Sequence, residues 1–146
     1  VPEDEYTIPL GVADIKRQGT DITVVANLLM LHRVINVAHQ LQHEDGLSVE
    51  VIDPRCLVPL DGATIIDSVK KTGRLLVVEE NAGRGGWGAQ VVAEVAAHAI
   101  GYVDAPIRRL TAPDVPIPFA PHLEASVVPD ESRIKQAIRA LVRDEL

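Results

Sequence analysis

The chain has 146 residues, of which 47% are apolar, 24% charged and only 3% aromatic. That is about one domain's length with an ordinary globular composition, so one aliphatic core is expected. A net charge of −7, with 21 acidic against 14 basic residues, argues against nucleic-acid and anionic-membrane partners, which require clustered Lys and Arg, and favours a basic protein partner.

Residues 1–11 carry two prolines and an acidic triplet and read as a linker or extended lead-in, with the folded domain over 12–146. Ala13 to Arg17 alternates in polarity and ends at Gln18-Gly19, the pattern of a short, half-exposed strand before a turn. Ile22–Ala26 is a buried-type strand. The dense apolar run from Val24 to Leu31 is far short of the ~20 residues of a membrane-spanning helix. From about Met30 to Glu44, Leu31, Val34, Ile35, Ala38 and Leu41 recur at helical spacing, and Gly46 stops the helix.

Ser48–Ile52 is the next strand. Asp61 caps a helix that buries Ile65, Ile66 and Val69 and ends at Gly73. Leu75–Val78 is another strand. A helix from about Trp87 to Ile100 buries Val91, Val92, Val95, Ala96 and Ala99, and Ile107–Leu110 is the last strand. Six of the ten prolines then fall between Ala105 and Asp130. Proline lacks the N–H that a helix interior or central strand needs, so this stretch is expected to be extended over the surface. Asp130 caps a final helix with Ile134, Ala137, Ile138 and Leu141 inward.

Strands alternating with helices imply parallel pairing through right-handed crossovers. The expected fold is α/β: a three-layer α/β/α open, mostly parallel sheet of about five strands. The Ala13–Arg17 strand precedes the alternation and is expected to be antiparallel at an edge.

Gly83-Arg84-Gly85-Gly86-Trp87-Gly88 matches G-x-G-x-x-G and opens a helix, which can hold a pyrophosphate. The motif follows an internal strand, and the next strand ends without a ribose-binding carboxylate, so tight-turn and close-packing roles are favoured over a nucleotide. Trp87, in a chain with four aromatics, is an interface-anchor candidate with Gly85, Gly86 and Gly88, against the alternative of packing in its own domain. Glu79 and Glu80 end a strand but face opposite sides, and Glu80 is expected to bond amides of the glycine loop. The histidines have no zinc spacing and are read as surface residues. Cys56 is single, which forbids an internal disulfide and fits a reducing compartment, and it is read as a small buried thiol.

Several strings together resemble the C-terminal domain of the β subunit of thiamine-diphosphate-dependent 2-oxo acid dehydrogenases, the E1 component. They are Ile8-Pro9-Leu10-Gly11 with Ala13-Asp14-Ile15-Lys16-Arg17-Gln18-Gly19, and the stretch from Glu50 through Asp53-Pro54-Arg55-Cys56-Leu57-Val58-Pro59-Leu60-Asp61. Ser68 to Arg74 follows, then Val78-Glu79-Glu80 with Gly85-Gly86-Trp87-Gly88-Ala89, and the proline-rich run from Ala112 to Pro121. Cys56 departs from the usual Thr, and residues 81–84 from the usual loop.

The resemblance implies a transketolase C-terminal-like fold and a parent α2β2 enzyme that decarboxylates pyruvate or a branched-chain 2-oxo acid and acylates lipoyl-E2. It implies that thiamine diphosphate and magnesium are held elsewhere in the parent, by the α subunit and a pyrimidine-binding domain to which residues 1–11 would be the link. No catalytic, cofactor or metal residue is then expected in this chain, which alone would be inactive. The implied partners are the E1 α subunit, a second β subunit and the basic peripheral subunit-binding domain of E2. Asp104, with Asp144, Glu145 and the Leu146 carboxylate, are the docking candidates, and Gly85, Gly86, Trp87 and Gly88 the subunit-interface candidates. The implied location is cytoplasmic in bacteria or the mitochondrial matrix in eukaryotes. An acetoin dehydrogenase β subunit and a free-standing nucleotide-binding domain are the alternatives.

Overall fold

The computed structural model describes residues 5–143; the docking candidates Asp144, Glu145 and Leu146 lie outside them. Five strands, β1 (Asp14–Arg17), β2 (Ile22–Ala26), β3 (Val49–Asp53), β4 (Leu75–Ala82) and β5 (Arg108–Ala112), form one sheet. Their order is β1-β3-β2-β4-β5. The β1–β3 pair is antiparallel at one edge, and the other three pairs are parallel. The helices are α1 (Leu28–Asp45), α2 (Gly62–Thr72), α3 (Gly88–Ala99), α4 (Pro121–Val127) and α5 (Glu131–Val142).

Alternation along the strands builds two cores. Ile22, Val24 and Ala26 of β2, with Leu76 and Val78 of β4, face α1 and α5. Val25, Leu75 and Val77 point the other way, onto Ile65 and Val69 of α2 and Val91 and Val95 of α3. A strand rich in Val and Ile, buried on both faces, belongs in the interior of a parallel sheet.

The helix ends follow their cap chemistry. Asp61 Oδ1 accepts from Thr64 N at 3.1 Å, and Asp130 Oδ1 accepts from Arg133 N at 2.7 Å. Gly46 and Gly73 close α1 and α2 with φ of 72° and 69°, a left-handed conformation that glycine adopts without steric cost.

Four expectations change. The proline-rich stretch contains α4, because Pro121 stands in the first turn, where its missing N–H has no intrahelical partner anyway. Strand β4 runs four residues past Val78, through Glu79 and Glu80 to Ala82. Ala96 is exposed on α3, since it lies off the face on which Val91, Val95 and Ala99 are buried. Cys56 is half-exposed, because it follows the end of β3 rather than lying within it. All five histidines are exposed.

A charged seam joins α1 to α5. Glu44 accepts from Lys135 Nζ at 3.0 Å and from Arg139 Nη2 at 2.8 Å, and Asp45 accepts from Arg139 Nε at 2.6 Å. The Lys135 hydrogen bond holds the Glu44 carboxyl below its ordinary range, and the Arg139 bond does the same for Asp45. Both folded-state pKa values lie below the unfolded ones, so the contribution is complete above the unfolded pKa and lost as pH falls through the folded one. Thermal melts at low salt should therefore show a smaller acid-induced loss of Tm below about pH 4 for Glu44→Gln/Asp45→Asn than for the parent. Parallel curves for the two proteins would show that the seam contributes nothing.

Candidate functional site

The loop between β4 and α3 holds the glycine motif, and a buried carboxylate organises it. Glu79 is fully buried on the α3 side of the sheet, in line with Leu75 and Val77. Its Oε2 accepts the Gly88 N–H at 2.9 Å, and its Oε1 accepts from Arg109 Nε of β5 at 2.8 Å. Arg109 Nη2 is also buried 2.6 Å from Oε1, a charge contact without hydrogen-bond alignment. The residue before α3 is Trp87, whose side chain makes no cap bond. Glu79 therefore does the capping from a neighbouring strand, placing a negative charge at the positive end of the helix.

This arrangement explains two of the four glycines. A Cβ on Gly86 would stand 2.6 Å from Glu79 Oε2, and one on Gly88 would collide with Glu79 and stand 2.8 Å from Val77. Gly85 has φ of 71° and open space around its Cα. The loop amides were expected to be bonded by Glu80. Glu79 bonds the Gly88 amide and Asp114 the Arg84 amide instead, because Glu80 points to the opposite face, into a cleft with Leu29, Ile117 and Glu124. Trp87 is half-buried: one side packs on the α2/α3 core and the other walls a groove of about 490 Å³ with Leu57, Val58 and Pro59.

The same geometry tests whether a diphosphate fits here. The Gly88 amide that would receive one is already occupied by a carboxylate, and a second anion beside Glu79 would be repelled. These residues do not fit a nucleotide or thiamine diphosphate. No group of three or more His, Cys, Asp or Glu residues that could hold a metal exists among the described residues.

A second buried carboxylate lies at the other end of the strands. Glu50 of β3, 1% exposed, accepts from Gly19 N at 3.1 Å and Ser68 Oγ at 2.5 Å and pairs with Lys71. Thr23 Oγ1 extends the network to Ser68 Oγ at 2.6 Å and Thr72 Oγ1 at 2.7 Å. Every member has a partner, so the network fastens α2 and the β1–β2 turn to the sheet. Neither buried glutamate was expected to be internally paired, although a charged residue inside an apolar strand run was a signal for it.

Asp104 is exposed at this same end. Its N–H donates to Gly73 O at 2.8 Å, and its carboxylate occupies the space that a Cβ on Gly73 would take. Next to Gly73, Arg74 Nε donates to Leu141 O at 3.1 Å near the end of α5. Asp104 and the last turn of α5 thus lie at one end of the strands, and the glycine loop lies at the other, where β4 ends.

The transketolase C-terminal domain model matches residues 11–134. The chain is 39% identical over 142 residues to 2-oxoisovalerate dehydrogenase subunit beta of Bacillus subtilis, covering 97% of this chain and 43% of that protein. Against the pyruvate dehydrogenase E1 component subunit beta of the same organism, identity is 43% over 142 residues with the same coverage. Against its acetoin:2,6-dichlorophenolindophenol oxidoreductase subunit beta, identity is 45% over 134 residues, covering 92% of this chain and 39% of that protein. The chain therefore spans about two fifths of the length of these relatives. Among solved structures, a split-gene transketolase described as an inactive β4 tetramer aligns with a TM-score of 0.81 at 23% identity, over 94% of this chain and 44% of that one.

Proposed function

The chain belongs to the transketolase C-terminal domain family, and from that membership we propose that it is the assembly and E2-docking domain of a 2-oxo acid dehydrogenase E1 β subunit, inactive by itself. The relatives named for 2-oxoisovalerate dehydrogenase, pyruvate dehydrogenase and an acetoin oxidoreductase fall between 39% and 45% identity over almost the same residues. Identity in this region does not sort them, which supports placing substrate choice, thiamine diphosphate and magnesium outside this domain. The Glu79 carboxylate at the glycine loop supports the same division, because it fills the one anion-receptive helix end that the sequence motif suggested. No helix among the described residues is long and apolar enough to cross a membrane.

The subunit contacts belong on the glycine-loop end, where Gly85 and Arg84 are exposed and Trp87 half-buried. Gly86 and Gly88 act there indirectly, by admitting Glu79. The docking role belongs to the Asp104 end. The observation that carries it is the shared position of the Asp104 carboxylate and the end of α5, bridged by Gly73 and Arg74. A basic peripheral domain of E2 would find the exposed Asp104 carboxylate there, within a chain of net charge −7, and charge pairs would set its register and on-rate.

The test is titration of the cognate E2 peripheral domain onto the assembled α2β2 enzyme at rising NaCl, for the parent, for Asp104→Asn and for deletion of Asp144–Leu146. Affinity should fall with salt, and each variant should bind about thirtyfold weaker or worse, since truncating a charge pair buried in the interface costs about 2–5 kcal/mol. Salt-insensitive binding that neither variant alters removes the docking assignment.

A further inference from the structure

A groove along α3 has two chemically unlike ends. Trp87 keeps helical φ and ψ of −63° and −27°, so it continues the α3 spiral backwards by one residue. Trp87, Gln90, Val91 and Glu94 then recur at i, i+3, i+4 and i+7, which lines them up on one helix face. Leu57, Val58 and Pro59, from the loop between β3 and α2, form the facing wall. The space between is about 490 Å³, inside the range of about 300–1,000 Å³ typical of small-molecule sites. Arg84 and Gly85, the exposed loop residues assigned to subunit contact above, do not line it.

The Trp87 end is apolar. The indole gives a flat, rigid wall with a large contact area. Across from it Leu57 is 42% exposed and Val58 93%, so apolar surface stands open to solvent there. Glu94 follows seven residues after Trp87, about 10 Å along the axis at 1.5 Å per residue. Its carboxylate is the one charged side chain that lines the groove among the described residues.

That carboxylate is held but not neutralised. Gln90 Nε2 donates to Glu94 Oε1 at 2.8 Å. The Oε2 atom lies against the start of α2, where a Cβ on Gly62 would stand 3.8 Å away. Asp14, Glu44, Asp45, Glu50, Glu79 and Asp114 each pair with a lysine or arginine of this chain. Glu94 does not: its charge contact among the described residues is His98 Nε2, 3.8 Å from Oε2. Glu94 Oε2 and the amide oxygen of Gln90 therefore remain as acceptors for a cationic donor, while an anion would meet an unpaired carboxylate in a chain of net charge −7.

We propose that this groove is a binding site for a small-molecule amine. Its aromatic or aliphatic body lies along Trp87 and Leu57, and its ammonium group reaches Glu94 about two helical turns away. The proposal goes beyond the β-subunit reading and does not depend on it.

Calorimetric titration of phenylbutylamine, and of the alcohol and carboxylate of the same shape, phenylbutanol and phenylbutyrate, into the native assembly of the full-length polypeptide tests it. The amine is expected to saturate with a Kd on the order of 1 mM or lower. It should bind at least about fivefold tighter than the alcohol, the yield of one partly exposed charge pair, and the carboxylate should bind weakest. Glu94→Gln keeps the shape of the side chain and should lower the amine to the affinity of the alcohol while leaving the alcohol unchanged. Leu57→Ser should weaken amine and alcohol alike, by about threefold or more. Equal binding of amine and alcohol by the parent would overturn the proposal, because the carboxylate then selects nothing. So would an amine affinity unchanged in Glu94→Gln, which places the binding elsewhere. No saturation below about 10 mM, as when a neighbouring chain fills the groove, overturns it too and leaves the β-subunit reading intact.

Discussion

Glu79→Ala is expected to destabilise the domain by about 3–5 kcal/mol, the usual cost of removing one partner from a buried ion pair. The loss has three physical parts. Arg109, only 22% exposed, keeps a buried guanidinium with no counter-charge. The Gly88 N–H loses its acceptor at the start of α3. The space vacated below Gly86 and Gly88 is left empty. For a chain of this size the drop in Tm is roughly 10–15 °C at about 3 °C per kcal/mol. Trp87 is the only tryptophan and adjoins Gly88, so its fluorescence reports loosening of the loop directly. The double variant Glu79→Leu/Arg109→Met should recover most of the loss, because a buried ion pair replaced by apolar residues of similar volume is often neutral or better. A single-variant cost under about 1 kcal/mol would show that the pair is solvated and that the loop does not depend on it.

Gly19→Ala is the second large effect. A Cβ at Gly19 would press into the backbone at the start of β3, 2.7 Å from Ser48 O and closer still to Val49 and Glu50. That segment cannot retreat without breaking other bonds. Thr20 N and Asp21 N both donate to Ser48 O, at 3.0 and 2.9 Å, and Asp21 Oδ2 accepts from Ser48 N at 2.7 Å. Gly19 N itself donates to the buried Glu50 carboxylate. Overpacking against side chains costs about 1–3 kcal/mol, and here the obstacle is backbone, so about 3 kcal/mol or more is expected. Gly101→Ala is the control. No atom lies within 4 Å of its Cβ position and its φ is not positive, so a change within about 0.5 kcal/mol is expected. Urea midpoints for the two variants check both. Equal midpoints would mean that the β1–β2 turn shifts freely away from β3.

How far the sequence could be read depends on the range of the forces involved. Capping by Asp61 and Asp130 involves donors three residues away, and the glycine stops at Gly46 and Gly73 need only a local left-handed turn. Both were legible as spacing. So was the edge position of β1, whose half-polar alternation contrasts with the mostly apolar, wholly buried run of β2. The helix at Pro121 was harder to see. Prolines crowd the stretch before it, but a proline at the first helical position obstructs nothing, and the seven residues from Pro121 to Val127 contain no other.

The chain by itself determined most of the segments that become helix or strand, α4 excepted, and the inward face of most of them, because periods of 3.6 and 2 residues and cap chemistry act within a few positions. Family membership was legible for a related reason, since the quoted strings are contiguous. What only the tertiary structure decided is who meets whom. The order β1-β3-β2-β4-β5 puts β4 beside β5, with Val77 opposite Arg109. That register brings the Arg109 guanidinium to Glu79, two residues further along β4 on the same face, across 30 residues of sequence. The same packing carries Ser68 and Lys71 to Glu50. Pairings of that kind depend on strand order and register, which are set by the packing of the whole core rather than by any local run of residues.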